Sequence, residues 1–256
     1  MTEFLPLFDR LMVDGQALMW AGFLVFVRVG AVMALLPGFG EQSVPARVRI
    51  VLALAFTAIV APAAAMPDGP PAVRAVLSEA AVGLLLGSGF RMFVMALQTA
   101  GAIAAQATSL SQIFGGVGAD PQPAIGNLLV ISGLAVAVSM GLHIRVAEAL
   151  ILSYDLLPPG QIPSGADVAQ WGLAQITRAF ALAFSLAAPF MIASLIYNAA
   201  LGVINRAMPQ LMVALVGAPA LTAGGLVLLA LIAPVLLAVW AEAMAGFMDA
   251  PFSVPR

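Results

Sequence analysis

Apolar residues run along this chain in long unbroken blocks rather than in alternation. A membrane-crossing helix needs about 20 mostly apolar residues. The first such window is Gly15 to Leu36, interrupted only by Arg28, and Pro37, Gly38 and Gly40 then break it. Pro45 precedes the second, Ile50 to Pro67, which Pro70 and Pro71 follow. The third begins near Val76, is uncharged from Ala80 to Phe90 and, past Arg91, stays uncharged to Ala119. Pro121 to Ile144 holds a fourth span, starting near Ile125. The stretch from about 145 to 175 is the most polar, carries Pro158, Pro159, Gly160 and Pro163, and reads as a loop or short surface helix. Ala179 to Asn205 is the fifth span. Ala207 to Ala241 has no charge but is interrupted by Pro209, Pro219 and Gly224-Gly225. It predicts a short apolar segment and then a long last helix from about Thr222 to Met248.

These blocks predict an all-α, polytopic helical membrane protein, one helical membrane domain over residues 1–256. It has about five or six long helices, broken at Pro37, Pro45, Pro209 and Pro219. A membrane barrel would show ten-residue segments of alternating hydrophobicity, and an isolated span must satisfy its backbone internally. A third helix from Val76 to Ala107 would be about 48 Å long at 1.5 Å per residue, against a hydrocarbon layer of about 30 Å. Either it breaks near Gln98 to Gly101 or it does not simply span. Arg47, Arg49, Arg74 and Arg206 lie near span ends, too thinly spread to fix an orientation by loop charge.

Composition narrows the class. Of 256 residues 62% are apolar, and 24 glycines raise the share to about 71%, where a soluble domain has about 45–50%. Charged residues make up 9%, against about 25%. A soluble globular enzyme and a disordered chain are both excluded. A net charge of −2 leaves no basic field for nucleic acid. Every cation is arginine, which suits the few charged positions of a membrane protein; genome composition explains the bias equally well. The absence of cysteine excludes disulfides and thiolate chemistry. Glu3, Asp9 and Asp14 against Arg10 give the wrong charge for the start of a cleavable signal, so the apolar segments are expected to stay in the mature protein.

Candidate chemistry is sparse. One histidine, His143, cannot make a paired-histidine zinc site. Leu86-Gly87-Ser88-Gly89 lacks the first glycine of a serine-presenting turn and reads as small residues for close helix packing. No catalytic residue, cofactor-binding residue or metal ligand is expected. Charges inside apolar segments say more, because each costs about 2.5–3.5 kcal/mol on insertion scales. Arg28, Glu79, Arg91 and Glu242 are two of each sign, and pairing between helices or between subunits is the expected use; Arg206 joins them as an assembly charge. An ion-coupled path would gather carboxylates on one face, and these are scattered. The segment from Gln106 to Gln122, QATSLSQIFGGVGADPQ, is uncharged up to Asp120 and rich in polar residues and glycine. Inside a membrane protein such a segment is buried in protein or lines an aqueous cavity. One reading is a re-entrant or plug-like segment over about 106–120, with Gln106, Ile113, Phe114, Gly115, Gly116, Gly118 and Asp120 as gating residues. The other is an ordinary turn.

The order and spacing of several motifs resemble the FliR family of export-gate proteins. They begin with Arg28-x-Gly30 leading to Pro37-Gly-Phe-Gly40, and Val44-Pro45-Ala-Arg47-Val-Arg49 opening a helix. Glu79-x-x-x-Gly83-x-x-x-Gly87, Gly101 with Gln106, and Asp120-Pro121 follow. Gly141-x-His143 precedes Ser153-Tyr154 and Pro158, and Gly202-x-x-x-Arg206-x-x-Pro209-Gln210 precedes Gly217-x-Pro219. The resemblance covers nearly the whole chain. It implies a non-enzymatic subunit without cofactors, in the bacterial inner membrane within the flagellar basal body. It implies assembly with FliP-like and FliQ-like subunits into a helical pore, alongside FlhB-like and FlhA-like export proteins. The cargo implied is unfolded flagellar protein, and the 106–120 segment would plug the pore. The competing class is an autonomous small-solute or ion-coupled transporter, for which inverted repeats are expected and none is clear.

Overall fold

The computed structural model of the chain describes residues 4–41, 44–64, 72–108, 124–208 and 213–253. Apolar blocks rich in alanine and leucine become helices throughout, and no strand occurs among the described residues. The first is α1 (Phe4–Leu35), followed by α2 (Ala46–Val60) with a 3-10 turn at Ala61–Ala63. Then come α3 (Val73–Thr108), α4 (Ala124–Ser139), α5 (Leu142–Leu156), α6 (Gly165–Ala207) and α7 (Val213–Asp249). Five stretches are long and apolar enough to cross a membrane, and α4 with α5, broken at Met140-Gly141, makes a sixth broken span. Pro37 follows the end of α1. Pro45, at φ −56°, stands at the N-cap of α2, where a proline's missing N–H is no loss.

Two expectations are corrected. The polar stretch 145–175, expected as a loop or short surface helix, is mostly taken up by longer helices: α5 covers it to Leu156 and α6 resumes at Gly165, leaving only 157–164 irregular. Pro219 does not break a helix, since α7 runs through it unbroken from Val213; neighbouring helices and local adjustment let apolar helices absorb a proline. For the third helix the structure decides between the two alternatives: there is no break at Gln98 to Gly101, and the helix continues to Thr108.

The chain forms two compact units. The first comprises residues 1–91, 141–174 and 247–256. Its buried residues include Val25, Val29 and Val32 of α1 and Leu36 just past its end, Val82, Leu86 and Phe90 of α3, and Leu142, Val146 and Leu150 of α5. Phe247 meets Phe90 edge-on at 5.1 Å between ring centroids, and the indole of Trp171 donates to the Pro251 carbonyl at 3.0 Å.

The second unit comprises residues 92–140 and 175–246. Trp240 of α7, fully buried, donates its indole N–H to the Phe93 carbonyl of α3 at 2.9 Å. Arg178 of α6 donates to the Ala243 carbonyl at 2.7 Å and stands over the Phe93 ring. Helices α3 and α4 touch backbone to backbone, because a Cβ on Gly101 would fall on the Cα of Gly126.

Large apolar faces remain outside this packing. In the most apolar 18-residue stretch of Ala220–Asp249 only 17% of residues are buried, and in that of Gly165–Ala207 only 28%. Such surface requires lipid or other subunits as its solvent.

Candidate functional site: a buried ionic cluster

The first unit holds an arginine and a glutamate with no solvent exposure, Arg28 on α1 and Glu79 on α3. Their helices are drawn together by Gly83, one turn after Glu79. A Cβ there would collide with the Arg28 carbonyl oxygen and stand 2.7 Å from the Ala31 Cβ. That close approach brings the guanidinium to the carboxylate as a fork. Nε donates to Oε2 at 2.7 Å and Nη2 to Oε1 at 3.0 Å, the bidentate geometry that arginine offers and lysine lacks.

Helix α5 completes the cluster. Nη1 of Arg28 donates to the Ser153 hydroxyl at 2.9 Å, which in turn donates a hydrogen bond to the Leu150 carbonyl at 2.6 Å. The Tyr154 hydroxyl donates to Glu79 Oε2 at 3.1 Å, and its ring lies 3.7 Å beneath the guanidinium carbon, a cation–π contact. Nη2 also donates to the Leu157 carbonyl, the first residue past α5, at 2.9 Å. Two charges stripped of water are tolerated only when paired and hydrogen-bonded, and here both conditions hold. The cluster has the chemistry of a clamp: it fastens α1, α3, α5 and the start of the 157–164 connection at one point.

The connection itself turns on Gly160. Gln161 N–H bonds to the Pro158 carbonyl at 3.2 Å, and Gly160 has φ +79°, the conformation a type II turn requires after proline. Gly160→Ala is expected to cost about 1–2 kcal/mol through this left-handed backbone. A drop in the melting temperature of the detergent-purified chain checks it.

The remaining sequence-predicted residues are dispersed. Arg91 pairs with Glu41, beyond the end of α1, at 2.5 Å and with both side chains partly exposed. Arg206 and Glu242 are exposed on α6 and α7, so of the internal charges Arg28 and Glu79 alone are brought together. Gln106 lies exposed in the last turn of α3. Ile113, Phe114, Gly115, Gly116, Gly118, Asp120 and Pro209 lie outside the described residues. Ser153, Tyr154 and the Leu157 carbonyl were not foreseen as partners of Arg28 and Glu79. Two sequence signals marked Ser153 and Tyr154: they form one of the motifs that carry the family resemblance, and they fall on the apolar stripe that Leu142, Val146, Ala149 and Leu150 trace along α5.

Residues 19–247 match the family described as bacterial export proteins, family 1. The chain belongs to this family. It is similar to the flagellar biosynthetic protein FliR of Caulobacter vibrioides, at 33% identity over 88% of this chain and 93% of the relative. The proteins of the same name from Bacillus subtilis and Escherichia coli are 29% and 28% identical, over 78% and 86% of this chain and 80% and 88% of the relatives. Both halves of the ion pair and all of α5 fall within the matched region.

Proposed function

We propose that this chain is a structural and gating subunit of a flagellar type III export gate, held in the bacterial inner membrane. The observation that carries the reading is the match to the export family over most of the chain, together with the flagellar name its relatives bear. The fold supports it: apolar helices with large unburied faces suit a subunit shared with FliP-like and FliQ-like neighbours and adjoining FlhB-like and FlhA-like proteins. The role is non-enzymatic. The cargo is unfolded flagellar protein, passed through a conduit to which this chain contributes one wall. The segment from Gln106 to Asp120 obstructs that conduit at rest. Ile113 and Phe114 exclude water and ions, as an apolar constriction does by dewetting, and the glycines let the segment yield. No observation favours a solute transporter.

Two measurements test this reading. A tagged chain extracted gently should bring FliP-like and FliQ-like subunits with it, and a monomer at native mass argues against an assembled gate. Replacing Phe114 by alanine and deleting Gly115-Gly116 should make the membrane leak small ions while the subunits still co-purify. Unchanged conductance in that variant removes the plug.

A further inference from the structure

Helices α1 and α2 enclose a groove of about 260 Å³. Its walls are two helical stripes, Phe26, Gly30, Met33 and Ala34 of α1 facing Ala46, Arg49, Ile50 and Ala53 of α2. The groove is open at Gly30, where an added Cβ would meet no heavy atom within 4 Å. All of the lining is apolar except Arg49, at the end where α2 begins.

That end is electrostatically unbalanced. Arg47 and Arg49 both stand in the first turn of α2, which has no acidic residue and no side-chain cap. The positive end of a helix dipole disfavours cations and favours an anion. Among the described residues no carboxylate pairs with Arg47 or Arg49. The Nε of Arg49 is buried and has no hydrogen-bond partner, although a buried donor left unmade costs about 1–3 kcal/mol. Exposed Arg47 supplies a second cation in the same turn. Both arginines sit at the start of the apolar span Ala46–Ala63, the level at which a helix end meets lipid headgroups.

We propose that this groove is a binding site for an anionic phospholipid. The phosphate lies on Arg49 and Arg47 at the first turn of α2, and part of one acyl chain lies along Gly30, Met33 and Ile50. A free anion would use the arginines but leave the apolar groove unfilled, and a protein acid would not account for a lipid-depth channel below them. A lipid uses both.

The test reconstitutes the full chain in vesicles of phosphatidylcholine with a minor fraction of phosphatidylglycerol. The chain is then re-extracted in mild detergent, and the phospholipid that stays with it is measured by mass spectrometry. At about fivefold per arginine near an anionic surface, the retained ratio of phosphatidylglycerol to phosphatidylcholine is expected to exceed that of the vesicle roughly 25-fold. The double variant Arg47→Gln, Arg49→Gln should return it to the vesicle ratio. Gly30→Leu, which fills the groove without touching the arginines, should lower the retained amount while helical circular dichroism is unchanged. The proposal is overturned if the wild type shows no enrichment or if both variants retain lipid as it does. It is equally overturned if excess inorganic phosphate strips the lipid, or if a photo-crosslinker at Ile50 in native membranes captures protein instead of lipid.

Discussion

Glu79→Ala is expected to destabilise the chain by about 3–5 kcal/mol, the cost of leaving a buried arginine without its counter-charge. The guanidinium of Arg28 has no water to turn to, and its other partners, the Ser153 hydroxyl and the Leu157 carbonyl, are neutral. A thermal melt of the purified chain and its steady-state amount in membranes should both fall sharply. Removing both charges together has a different outcome. Arg28→Met with Glu79→Leu replaces the fork by apolar groups of similar bulk, and such replacements of buried pairs are often neutral or stabilising. The double variant should recover most of the loss, and the two single effects should be strongly non-additive. If Glu79→Ala melts with the wild type, the pair is not the clamp described.

Gly101→Ala should be nearly as damaging despite adding one methyl group. The new Cβ meets the backbone of Gly126, with its nitrogen 2.8 Å away. A flexible side chain yields to such a clash, but two helix backbones do not. Overpacking of this kind costs about 1–3 kcal/mol and occasionally more, and here α3 and α4 must part along their length. Gly22→Ala is the matched control, since nothing lies within 4 Å of its added methyl. Relieved of glycine's entropy in a helix, it should be neutral or stabilising by about 0.5–1 kcal/mol. Equal melting temperatures for the two variants contradict the backbone contact.

The helical class and most spans were legible because continuous apolar blocks admit little else. The region from 145 to 175 was not. Charge-free windows find helices that are apolar all round, and α5 is amphipathic: Arg145 and Glu148 are exposed while Val146, Ala149 and Leu150 are buried. Its charges read as a loop when they were one face of a helix. The last helix misled in the opposite way, with Pro219 taken as a break that the apolar setting absorbs. For the site, Arg28 and Glu79 were visible as charges out of place, but 51 residues separate them and no local pattern names a partner so distant. Tyr154 and Ser153 stood out as a motif of the family resemblance, but an uncharged hydroxyl does not say which charge it serves until the geometry places an acid or a guanidinium beside it.

Helix α6 has 43 residues, which makes a rod of about 64 Å. Leaned over at 40°, the steep end of the range seen for crossing helices, it still rises about 49 Å along the bilayer normal. The oily layer is about 30 Å deep. An upright α6 therefore carries several turns past the oily layer, and where its C-terminal end is the one that emerges, the exposed side chains of Leu195 and Val203 leave water only by settling against a neighbouring polypeptide.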